Sequence, residues 1–125
     1  MGMVTDITTF ADIVRQVVES LPETFLERLD NVDVVVEHYP TTEQLRANGL
    51  SEPETLLGLY EGLPLTEREA YGMAVPDKIT LFHGPIESIC ENLDQLIDQI
   101  RTTVVHEVAH HFGINDQALS EIGLA

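Results

Sequence analysis

The residues best suited to chemistry lie close together near the end of the chain: His106-Glu107-Val108-Ala109-His110, then Gly113 and Asp116. Residues four apart share one face of an α-helix, so His106 and His110 can direct ring nitrogens at a single cation. Zinc takes such nitrogen donors together with carboxylate oxygens, and three protein ligands with an open fourth position mark a catalytic rather than a structural site. Glu107 lies about 100° further round the helix, a poor third ligand but well placed to hold a water as general base. Gly113 suits the left-handed position that ends a helix, so the chain can turn there and carry a new ligand back toward the cation. Asp116 stands three residues beyond that turn. The competing reading is plain packing, because Val104, Val108 and Phe112 also give this stretch the spacing of an amphipathic core helix.

The run HEVAHHFGIND has the pattern HExxHxxGxxD and resembles the zincin metallopeptidases, among them the minimal zincins, small bacterial proteins regarded as possible zinc metallopeptidases. The stretches LLGLYEGLPLTER from Leu56 to Arg68 and PDKITLFHGPI from Pro76 to Ile86 are similar to that family's other recurrent blocks. The likeness extends over most of the chain from residue 32 onward. It implies that His106, His110 and Asp116 bind Zn²⁺, that Glu107 is the catalytic acid/base, and that the substrate is a peptide or protein. Larger peptidases with this extended motif have a methionine-containing turn well downstream of the third ligand. The last methionine here is Met73, so the expected site has no such turn. The alternative is a catalytically silent zinc-binding module with a regulatory or protein-interaction role.

Those residues need elements to hold them. Phe10, Ile13, Val14, Val17, Val18 and Leu21 recur at helical spacing after Thr8 and Thr9 as candidate caps, and Pro22 opens a shorter helix with Phe25, Leu26 and Leu29. The β-branched run from Val32 to Glu37 reads as a strand, and Thr42 to Ala47 as a turn or two of helix ended by Asn48-Gly49. Two more strands are expected near Leu56 to Glu61 and Lys78 to Phe82. A long helix follows from about Glu91 to Phe112, with Leu93, Ile97, Ile100, Val104 and Val108 on its buried stripe, then a short one around Gln117 to Ile122. The expected fold is therefore α+β and zincin-like: a small twisted mixed sheet of about three strands, packed with helices that include the long HExxH helix. The family likeness implies an edge strand beside the metal cleft, where a peptide can add as another strand. The strand from Leu57 to Glu61 is the expected edge, since Gly58 and Gly62 admit a close backbone.

With 125 residues, 43% of them hydrophobic, the chain fits one domain, 1–125, around one core. Twenty-two acidic against six basic side chains give a formal charge of −16, which argues against nucleic acid and anionic membranes as partners. Cys90 is the only cysteine and calls for no disulfide, the first residues lack a signal-peptide pattern, and no apolar run reaches spanning length; a cytoplasmic protein is expected. His111 projects from another part of the helix and is expected behind the ligands or in solvent. His38 and His83 end strands and are expected to be structural or exposed. Tyr39, Tyr60 and Tyr71 are expected to serve packing, although a tyrosine can polarise a carbonyl.

Overall fold

The computed structural model describes residues 4–51, 54–62 and 76–124. The chain opens with α1, Ile7–Glu19, whose N-cap is Asp6 rather than Thr8 or Thr9. The Asp6 carboxylate accepts the Thr9 N–H at 2.7 Å, which places both threonines inside the first turn. A four-residue helix α2, Glu23–Leu26, and a 3₁₀ turn, Glu27–Leu29, lead into strand β1, Val32–Glu37. Helix α3, Thr42–Ala47, carries a capping box in which Thr41 and Gln44 satisfy each other's backbone N–H.

Strands β2, Gly58–Glu61, and β3, Asp77–Phe82, complete one sheet in the order β1-β3-β2. β1 runs parallel to β3 and β2 antiparallel to it, so the sheet is mixed and, among the described residues, β2 is an edge, as expected. Central β3 is buried at every position except Lys78, as a strand covered on both faces must be.

An element that periodicity did not reveal follows at once: α4, His83–Ser88. Glycine and proline both disfavour a helix interior, yet the amides of a helix's first turn have no acceptor within the helix, so Pro85 removes nothing there. The Gly84 N–H instead reaches back to the His38 carbonyl at 2.9 Å.

The long helix α5 spans Leu93–Phe112, capped by Asn92 through the Gln95 N–H. Its buried row is Leu96, Ile100, Val104 and Val108, whereas Leu93 and Ile97 are 48% and 37% exposed. Apolar residues at 93, 96, 97 and 100 permit either stripe by spacing alone, and packing selects the one through Leu96. Phe10, Val14 and Val17 of α1, Ile79 and Leu81 of β3, and this row belong to one apolar cluster. A last helix, α6, Asp116–Glu121, starts one residue earlier than expected, because Asn115 caps it. No helix among the described residues is long and apolar enough to cross a membrane.

Thr80 in β3 is fully buried, and its hydroxyl has no hydrogen-bond partner among the described residues. A buried hydroxyl left unpaired costs about 1–3 kcal/mol. Thr80→Val keeps the shape and removes the unpaired group, so it should stabilise the protein by about 1 kcal/mol; a lower urea midpoint than wild type would refute this.

Candidate metal centre and catalytic base

Helix α5 brings His106 and His110 to one exposed face, as their spacing predicts. Neither ring has a hydrogen bond or ion pair among the described residues, and both residues are exposed. The helix ends at Gly113, whose φ of 67° is the left-handed conformation expected there, and the Ile114 N–H returns to the Ala109 carbonyl at 2.8 Å. Asn115 then starts α6, so that Asp116 occupies its first turn. There Asp116 and His106 line one cavity of about 130 Å³ together with Arg101, Thr102, Val105, Leu119 and Leu124.

The donor types suit zinc: two unengaged imidazoles on one helix face and an exposed carboxylate beside one of them. The third donor is not drawn in. Among the described residues, no three His, Cys, Asp or Glu side chains stand close enough together to hold a metal ion.

Glu107 faces the other way, toward the sheet. Its Oε1 accepts the Tyr60 N–H of β2 at 3.2 Å. This depends on Gly58, where an added Cβ would lie 2.6 Å from Thr103 Cγ2, 3.2 Å from the Thr80 carbonyl and 3.6 Å from Glu107 Cγ. Any side chain at position 58 would force β2 and α5 apart. Burial against the strand pushes the Glu107 carboxyl above the ordinary glutamate value, opposed by the Tyr60 amide and by the charges of His110 and His106. A raised carboxyl is better matched to accepting a proton near neutral pH.

His111 is exposed, in keeping with the solvent-facing reading, but it is not without contacts. Its ring stacks on Tyr60, with centroids 3.9 Å apart and planes 20° from parallel, and its Nε2 is 3.9 Å from Asp77 Oδ2. The Tyr60 hydroxyl donates to the same Oδ2 at 2.7 Å. Phe112 completes the group edge-on to both rings. Asp77 and Arg101 were not read from the sequence as neighbours of the site: Asp77 is brought there by sheet register, and Arg101 is one basic residue among several. At the other end of β3, His83 is buried; its Nε2 meets Glu87 and the Thr5 carbonyl, the latter at 2.8 Å, and its Nδ1 is 3.4 Å from that of His38. His83 is thus a structural tie, as expected, remote from the motif. Tyr39 is 67% exposed and packs over Gly84, while Tyr71 lies outside the described residues.

The model of the zincin-like metallopeptidase family matches residues 29–124. The chain belongs to the zincin-like metallopeptidases. No curated protein matches this zincin-like chain. Among solved structures it is similar to a conserved hypothetical protein from T. thermophilus, with 22% identity and a TM-score of 0.57 over 86% of this chain and 94% of the other. At that identity the likeness shows a shared fold.

In this zincin-like protein, Gly58→Ala should cost about 1–3 kcal/mol by overpacking. Thr103→Ser, which removes the opposing methyl but keeps the hydroxyl that bonds the Gln99 carbonyl, should recover most of it in the double variant; additive losses in urea melts would disprove the contact. Glu107 also links stability to pH. Below the ordinary value of 4.5 it is protonated in folded and unfolded chains alike; as pH rises through the raised folded value, the folded state alone resists ionisation and loses stability. Metal-free Glu107→Gln should therefore melt higher than wild type near neutral pH, with the gap closing in acid.

Proposed function

We propose that the protein is a zinc-dependent peptidase in which Glu107 is the general base. The observation that carries the reading is the placement of Glu107: half-buried, one residue after His106, with its carboxylate on the Tyr60 amide of β2 and within reach of the charges of His110 and His106. His106, His110 and Asp116 would hold the zinc. When bound, zinc supplies Lewis acidity toward a carbonyl and toward water. At rest Oε1 of Glu107 is held by the Tyr60 amide, and Oε2, without a partner among the described residues, is the atom that takes a proton from the attacking water and returns it to the leaving nitrogen. An extended peptide beside β2 would present its carbonyl between that carboxylate and the histidines. The net charge of −16 favours cationic peptides. The alternative is a silent zinc-binding module, in which the same donors would hold the metal and Glu107 would move no proton.

Glu107→Gln should take up zinc as wild type does while peptide hydrolysis falls at least about 100-fold. His106→Ala/His110→Ala should lose the one tightly held zinc per chain, and Asp116→Ala should weaken uptake severely. Full turnover in Glu107→Gln would overturn the mechanism. Zinc uptake with no hydrolysis of a broad cationic peptide set by wild type would leave the module.

A further inference from the structure

The bond between Glu107 and Tyr60 occupies the position that a docking peptide needs. The Phe82 N–H donates to the Leu57 carbonyl at 2.9 Å. With β2 and β3 antiparallel, the hydrogen-bonded pairs are therefore Leu57 with Phe82, Leu59 with Thr80 and Glu61 with Lys78. Tyr60, opposite Ile79, belongs to the other kind of pair and turns its N–H away from β3, out of the sheet edge. That N–H is the one Glu107 accepts. A strand added to this edge must bond the outward N–H of Tyr60, so it cannot form its ladder while Glu107 holds that amide.

We infer that Glu107 caps the sheet edge until a polypeptide strand displaces it, so that substrate docking and release of the base are one event. This gating rests on the peptidase reading for its purpose but not for its geometry. Tyr60 is the positioning residue: its amide fixes the carboxylate at rest, and its ring and hydroxyl, held by His111 and Asp77, fix the amide. The occupant is an extended cationic peptide, because only a chain with free backbone donors and acceptors replaces the cap and because the protein is strongly acidic. Docking frees Oε1 as well as Oε2 beside the histidine face, at the moment a scissile carbonyl arrives there.

The test uses full-length zinc-reconstituted protein and an octapeptide alternating lysine and valine as the probe. Gln at position 107 can still accept from the Tyr60 N–H, whereas Ala cannot, and neither variant has the base to consume the probe. Glu107→Ala should bind the octapeptide about tenfold more tightly than Glu107→Gln, the effect of removing one competing hydrogen bond. By nuclear magnetic resonance, the Tyr60 amide of wild type should exchange with solvent about tenfold more slowly than the outward-facing Gly58 amide, and octapeptide should shift the Tyr60 resonance. Equal affinities in the two variants, or a wild-type Tyr60 amide that exchanges as fast as Gly58, would overturn the gate. Neither measurement requires turnover, so failure of the peptidase reading would appear separately, as zinc uptake without hydrolysis.

Discussion

The site depends on how closely one strand can approach one helix. β2 reaches α5 at Gly58, where the space for a side chain is taken by Thr103 Cγ2 and the Thr80 carbonyl. From that contact follow the half-buried state of Glu107, its raised pKa and its bond to the Tyr60 amide. Interiors are packed too densely for such an approach to be adjusted by small amounts. The histidines need no such constraint, since helical pitch alone sets them together. The proposed base is thus fixed by tertiary packing, while the imidazoles are fixed by local structure.

This difference explains what was legible in the sequence. His106, His110, the Gly113 turn and the three strands follow from spacing, backbone conformation and β-branched runs, all of them local properties. β2 as an edge was legible because two glycines flank Leu59-Tyr60-Glu61, and the structure uses Gly58 for helix approach and Gly62 for proximity to His111. Asp77, its bond to Tyr60 and the stacking of His111 depend on which strands pair and in what register, and no local pattern carries that information. Helix α4 was hidden by Gly84-Pro85, a pair that signals a turn in most settings but fits a first helical turn here. The Leu93/Ile97 stripe failed because two periodic rows overlap in α5, and only the neighbours of the helix distinguish them.

The polar residues divide by function along the length of β3. At its start, Asp77 ties Tyr60 and faces His111, next to the proposed base. At its end, His83 and Glu87 bind Thr5 through its N–H and its hydroxyl, at 2.5 and 2.8 Å, and through its carbonyl. The second group closes a span of 82 residues and holds the segment ahead of α1 against α4. Its hydrogen-bonding capacity is used internally, whereas the imidazoles of His106 and His110 on α5 have no hydrogen-bond partner among the described residues. A buried polar cluster stabilises when it is complete, and a reactive one must be left incomplete.

The far edge of the sheet faces a different hazard. β1 has the sequence Val-Asp-Val-Val-Val-Glu, three of its four valines lie on an uninterrupted run, and among the described residues it has a sheet neighbour on one side only. A β-branched edge of this kind is a template for joining with identical strands from other molecules. Asp33 and Glu37, both exposed, act as gatekeepers within a molecule whose copies repel one another through sixteen net negative charges. That protection is electrostatic and therefore depends on the medium: salt shortens its range to about 8 Å at physiological strength, and acid removes the charge. Colloidal stability of the folded protein is thus tied to its acidic surface, and the composition proposed to draw cationic chains toward one edge also keeps like chains from the other.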